Sequence, residues 1–179
     1  MIALVVLGII AFILLVAYIA ISNKLARSIV KIDEAESGID VALTKRYDVL
    51  TKQLEIAKAY AKHEKETLEA VIELRNNMTM AEKSAAAAQM SQLQERINVV
   101  AENYPELRSS ENFKTLQISV NDTEEHLQAA RRAYNANVSS YNQMLVVFPD
   151  SIVANMKHLT RRDFFEAEAS KRSDVKMEF

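Results

Sequence analysis

The sequence predicts an all-α protein whose N-terminal single transmembrane helix continues into an elongated antiparallel helical bundle. Three observations predict it. From Met1 to Ile21 there is no charged side chain, and the only polar group is the hydroxyl of Tyr18. The 179 residues include just two glycines, Gly8 and Gly38, and two prolines, Pro105 and Pro149. Turns and strand ends draw heavily on those types, so sharp reversals are few. Beyond the first segment, apolar residues recur at threes and fours, the spacing of one helix face.

The first element is the apolar segment. A helix over residues 1–21 rises about 31 Å, which matches a hydrocarbon core of about 30 Å. Buried core helices rarely stay uncharged this long. A cleaved signal peptide fits less well, because there is no basic leading region and no small-residue cleavage site before Asn23. Residues 1–23 therefore read as a signal anchor in contact with the lipid bilayer, with Tyr18, Lys24, Arg27 and Lys31 at the membrane interface. The positive-inside rule places the N-terminus outside and the helical domain in the cytoplasm. No two of Gly, Ala or Ser lie four apart in the span, so it reads as an anchor and not as a helix-pairing element.

Residues 24–169 make up the bundle domain, and residues 170–179 a charged tail. From Gly38 to Pro105 neither glycine nor proline intervenes. Leu25, Ile29, Ile32, Ile39, Leu43, Leu50, Leu54, Ala57, Ala61 and Leu68 form one stripe of the first helix. Glu36, Arg46 and Gln53 interrupt it, so it is no strict coiled coil. A break is expected near Arg75-Asn76-Asn77-Met78. Thr79-Met80-Ala81-Glu82 then has the form of a capping box, opening a second helix that runs to about Asn103. Pro105 ends that helix, and Ser109 or Ser110 caps the third. The third stripe is the most regular: Phe113, Leu116, Val120, Thr123, Leu127, Ala130, Tyr134, Val138, Tyr141, Leu145 and Phe148, stopped by Pro149. Thr160-Arg161-Arg162-Asp163 is expected to cap a last turn holding Phe164 and Phe165.

Helix lengths then suggest a rod. The first helix carries the chain about 80 Å from the membrane, the second returns about 35 Å, and the third goes out again. Part of the first stripe would lack a partner within the chain, and neighbouring copies would cover it. A homo-oligomer is therefore expected, with Leu43, Leu50, Leu54, Phe113, Leu116, Leu127, Tyr134, Tyr141 and Phe148 as the helix-packing or oligomer candidates. In the same geometry Lys157, His158, Arg161 and Arg162 start far from the membrane. With Phe164 and Phe165 they read as a cap on the bundle and not as a lipid contact.

Reactive chemistry is not indicated. His63, His126 and His158 are scattered, and none has a zinc-type spacing. Glu124-Glu125-His126 reads as a solvated helix face. No cysteine is present, and two glycines cannot build a phosphate-cradling loop. The net charge of −2 argues against a nucleic-acid partner held by a basic field. No catalytic, metal or cofactor site is expected.

Several segments together resemble the LemA family of bacterial membrane proteins. They are Asp40-Val41-Ala42-Leu43-Thr44-Lys45-Arg46-Tyr47-Asp48, Tyr60-Ala61-Lys62-His63-Glu64, Glu102-Asn103-Tyr104-Pro105-Glu106-Leu107 and Ser110-Glu111-Asn112-Phe113. Ala130-Arg131-Arg132-Ala133-Tyr134-Asn135, Tyr141-Asn142, Phe148-Pro149 and Phe164-Phe165-Glu166-Ala167-Glu168 complete the set. Three features depart from the family pattern. Leu50-Thr51-Lys52-Gln53 stands where the family has Ile-Pro-Asn-Leu, Ala59 replaces a glycine, and Ile152 to Lys157 replaces a glycine-rich stretch. The first two favour an unbroken first helix. The resemblance implies a bundle behind a short extracellular N-terminus in a bacterial cell membrane, without known enzymatic activity. The leading expectation is a non-enzymatic, self-associating membrane scaffold. The alternative is an anchored adaptor that presents a bundle groove to a signalling or quality-control partner.

Overall fold

The computed structural model describes residues 1–61, 74 and 77–166. Their regular elements are all helical: α1 (Ile2–Tyr60), α2 (Met80–Asn103), α3 (Pro105–Ser109), α4 (Glu111–Met144) and α5 (Asp150–Met156). The chain is all-α, a long apolar N-terminal helix followed by a bundle-like arrangement of helices. Leu68, His63, the Arg75-Asn76 part of the expected break and the tail at 170–179 lie outside the described residues.

The helix boundaries follow local chemistry. α1 runs unbroken for 59 residues, about 88 Å at 1.5 Å per residue. At the start of α2, the Thr79 hydroxyl accepts from the Glu82 N–H at 3.3 Å, and the Glu82 carboxylate accepts from the Thr79 N–H at 2.7 Å. Both halves of the capping box are therefore made. Tyr104, ahead of Pro105, is non-helical at φ −121° and ψ 86°, and Pro105 opens α3 where its missing N–H costs nothing. Of the two candidate caps for α4, Ser110 takes the position. It is extended, and its carbonyl accepts the Lys114 N–H at 3.1 Å.

Two boundaries differ from expectation. α4 ends at Met144, so Phe148 is not on its stripe. Proline excludes the residue before it from the α region, and the chain tightens ahead of it: the N–H groups of Val146 and Val147 both reach the Gln143 carbonyl at 3.1 Å. The expected last turn at Thr160–Phe165 is absent. This segment is non-helical, and its carbonyls are held by side chains of α4.

The chain divides into two compact units. The first comprises Met1–Glu36 and Ala133–Phe164. Here the end of α4 runs antiparallel to α1: Asn137 Nδ2 donates to the Lys31 carbonyl at 3.1 Å, and further along Met144 packs beside Leu25 and Ile21. Leu25 forms a core with Val153 and Ala154, flanked by Ile21, Met144, Leu145 and Leu159. The segment after α5 is clasped to α4. Asn142 both donates to the Arg162 carbonyl and accepts its N–H, while the Tyr141 and Tyr134 hydroxyls donate to the carbonyls of Thr160 and Asp163.

Burial raises the Tyr134 phenol to about 12, helped by Glu36, Asp163 and Asp33 and opposed by Arg162. A folded-state pKa above the unfolded value of about 10 gives stability that is complete below pH 10 and lost as pH climbs to about 12. The loss is at most about 2–3 kcal/mol. Alkaline titration of the unfolding midpoint should show this fall, and Tyr134→Phe should flatten it.

The second unit comprises Ser37–Arg132 and residues from Phe165 onward. α2 runs in the same sense as α1, since Lys83 pairs with Asp40 at 2.6 Å while Arg46 reaches Ser91 at 3.0 Å. The expected return of the second helix along the first is therefore not seen. α4 is the helix that runs back, antiparallel to both: Gln117 Nε2 donates to Asn98 Oδ1, and Glu124 faces Arg46. Ile39, Leu43, Leu50 and Leu54 of α1 are buried here, as are Met90 and Ile97 of α2, Leu107 of α3, and Phe113, Val120 and Leu127 of α4. Arg131 stacks over the Phe165 ring, 4.8 Å from its centre.

The interruptions of the α1 stripe turn out to lie on its buried face. Arg46 is 2% exposed, and its guanidinium donates to the Ala87 carbonyl, Ser91 Oγ and Gln94 Oε1. It also lies 2.9 Å from the Glu124 carboxylate, close for an ion pair although off-axis for a hydrogen bond. Gln53 is fully buried, and neither atom of its amide has a partner among the described residues. An unpaired buried amide costs roughly 1–3 kcal/mol. Gln53→Leu should therefore stabilise the full chain by on the order of 1 kcal/mol, read as a higher denaturant midpoint at unchanged slope.

Among the described residues, most of the seam expected to need a second copy is covered within one chain. Leu25, Ile32, Ile39, Leu43, Leu50, Leu54, Ala57 and Ala61 are all buried. The physical reason is the direction of α4, which comes back along α1 instead of running out beside it.

Candidate membrane-interface site

Among the described residues, the apolar start of α1 is exposed along its length. Its large side chains from Ile2 to Ile19 are exposed, and none of its most apolar window is buried. Water-soluble surfaces rarely expose apolar patches beyond a few hundred Å², and a helix apolar on all sides belongs in a core or a bilayer. Tyr18, the one hydroxyl in the segment, sits a turn before its polar end, where aromatic residues favour the headgroup level.

Lys24, Arg27 and Lys31 follow at spacings of three and four, which puts them on one face of α1. With Ser28 of α1 and Asn137, Ser140 and Met144 of α4 they line an open groove of about 460 Å³. Lys24 is paired with Asp150, whose side chain is largely buried. Arg27 Nε donates to the Asn23 carbonyl at 3.3 Å. Cationic heads with hydroxyl and amide groups alongside suit an anionic headgroup, each basic residue near such a surface contributing about 1 kcal/mol. They do not form a proton-transfer pair.

The Lys157 ammonium donates to Ser22 Oγ, directly after the apolar segment. This overturns the expectation that Lys157 and its neighbours start far from the anchor. The end of α4 runs toward the apolar segment and delivers α5 and Lys157 beside it. Arg162 pairs with Asp33 at 3.4 Å, in an exposed contact of little energetic weight, and His158 and Arg161 are exposed.

The other candidates divide by unit. Leu43, Leu50, Leu54, Phe113 and Leu127 are buried in the second unit, where Leu116 is half-buried. Tyr134 and Tyr141 are buried in the first, and Phe148 is 76% exposed. His126 lies in a shallow depression with Asp122, Glu125 and Arg132, all on the surface of α4 itself. No group of three potential metal ligands occurs among the described residues. Sequence reasoning missed Ser22, Asp150 and the buried role of Arg46. For Arg46 a signal existed, namely a charge recurring in register with the apolar stripe.

The chain is 26% identical to Protein LemA of Metamycoplasma hominis over 163 residues, 88% of this chain and 74% of that one. It is also similar to Magnetosome protein MamQ of Magnetospirillum gryphiswaldense, 26% identical over 70 residues, and to Magnetosome protein MamQ 2 of Paramagnetospirillum magneticum, 28% identical over 71. Those matches cover 39% and 40% of this chain and 26% of each relative. The model of the LemA family matches residues 35–179, most of the chain, and the protein belongs to the LemA family.

Proposed function

We propose that this is a single-pass protein of a bacterial cell membrane that holds a non-enzymatic helical module at the bilayer surface as an anchored adaptor for protein partners. The carrying observation is the pairing of a bare apolar helix with a domain whose own seam is closed. Residues 2–20 are exposed, whereas eight of the nine stripe residues from Leu25 to Ala61 are buried within one copy, Ile29 being half-buried. A module complete in itself has its polar outer surface to offer. Self-association into a scaffold has lost the uncovered seam it was expected to rest on. The charges of Lys24, Arg27 and Lys31 favour a cytoplasmic module and an external N-terminus.

Light scattering of the full chain in mild detergent tests the reading. One copy per micelle, together with retention of the protein in membranes washed at alkaline pH, supports it. A large uniform ring or array would overturn the adaptor in favour of a self-assembled scaffold. Release by the alkaline wash would remove the anchor.

A further inference from the structure

Outside the apolar segment, eleven large hydrophobic side chains of the described residues are exposed, and five of them fall between Val146 and Met156. These are Val146, Val147 and Phe148 in the α4–α5 turn and Ile152 and Met156 of α5, each 52–76% exposed. The clustering follows from the helix register. α5 turns Val153 and Ala154 inward onto Leu25, which leaves Ile152 and Met156, four residues apart, on the other side. Asp150, beside the turn, pairs with Lys24.

The cluster has a fixed position along α1. Leu25 and Ile21 pack against Met144, Leu145, Val153 and Ala154, and Lys157 reaches Ser22. All of these residues belong to the same unit. Ile21 is the last residue of the apolar run, so the turn lies within about one helical turn, roughly 5 Å, of the end of that segment. Where residues 1–21 cross a bilayer, that level is the headgroup region. α4 approaches with its C-terminal end leading, so the Val146–Phe148 tip is the part of the turn that arrives first.

We propose that the α4–α5 turn is a second membrane contact, in which Val146, Val147, Phe148, Ile152 and Met156 enter the interface of the bilayer that α1 crosses. The occupant of this apolar face is lipid because the face continues the apolar surface of the anchor. Lys157 and Lys24 stand at its polar edge, where long basic side chains reach headgroups while their stems lie on apolar surface. Two attachments at one level hold the first unit upright on the membrane, whereas a lone helix would leave it free to swing. The inference rests on the reading of residues 1–21 as a span.

The test uses the full chain in nanodiscs of phosphatidylcholine and phosphatidylglycerol. With no native cysteine, single nitroxide labels can be placed by Val147→Cys and Ile152→Cys, with Leu14→Cys in the span and exposed Ile118→Cys in the second unit as references. Oxygen partitions into lipid and a nickel chelate into water, so the ratio of their collision rates reports depth. Labels at 147 and 152 are expected to show a ratio several-fold above that at 118, approaching that at 14. The pair Val147→Asp and Phe148→Asp, both at exposed positions, should return the label at 152 to the ratio at 118. Ratios at 147 and 152 equal to that at 118, with 14 in lipid, overturn the second contact and leave the span intact. Shielding of 147 from both reagents overturns it in favour of a protein contact. An aqueous reading at 14 removes the span and the second contact together.

Discussion

Arg46→Met should lower the stability of the helical domain by about 3–5 kcal/mol, because it removes one partner of a buried charge pair. From its position on α1 the guanidinium touches both α2 and α4. Its loss leaves the Glu124 carboxylate, with only 22% of its side chain exposed, without its cationic partner. The Ala87 carbonyl, the Ser91 hydroxyl and the Gln94 amide lose the same donor. Lysine does not rescue it, since one ammonium cannot reproduce a planar fork of donors. The double change Arg46→Met with Glu124→Leu should recover much of the loss, because two apolar side chains of similar volume no longer strand a charge. Urea unfolding of the full chain in micelles, followed by helical circular dichroism, measures all three variants. A loss below about 1 kcal/mol for Arg46→Met would show that the pair is solvated.

Ile10→Arg combined with Leu14→Arg should move the protein out of the membrane fraction. Each arginine near the centre of a spanning helix costs about 2.5–3.5 kcal/mol on insertion scales. Two of them total about 5–7 kcal/mol, enough to shift partitioning by several thousand-fold. Both positions are more than half exposed, so the domain should keep its helix content. Flotation of vesicles through a density gradient reads the outcome, and the paired Ile10→Leu and Leu14→Ile changes should leave it unaltered. If the double arginine variant still floats with the lipid, α1 is not what holds the protein there.

Much of the architecture could be read directly from residue order. The capping box of Thr79 and Glu82, the non-helical Tyr104 before Pro105 and the unbroken α1 are consequences of neighbours a few residues apart, and each was expected. The buried faces were also legible, since a stripe at threes and fours says which side of a helix turns inward. It does not say what meets that side. Arg46 and Gln53 looked like breaks in the α1 stripe because only the positions of Ala87, Ser91 and Glu124 reveal that a charge there is braced. Direction was the larger omission. Periodicity is the same whichever way a helix runs, so nothing in the α4 stripe showed that its end comes back to Leu25.

That single difference changes the functional reading. With α4 running outward, the α1 seam would be open and the Lys157 segment remote from lipid. With α4 running back, the seam is closed and Lys157 meets Ser22. The α4–α5 turn was the least legible part, since Phe148 fits the spacing of the α4 stripe and leaves it only because the helix ends at Met144. The same end exposes Val146 and Val147.

The anchoring of α1 is tested most directly by a ladder of single cysteines along it, each the only thiol in the protein. Cysteines replacing Leu7, Leu14, Val30 and Lys58 would be challenged with a membrane-impermeant maleimide in proteoliposomes. Positions 30 and 58 should label wherever the helical domain faces the reagent, while 7 and 14 should stay unlabelled until the bilayer is dissolved and the protein denatured. Labelling at 14 as fast as at 58 in intact vesicles would contradict a lipid-embedded helix.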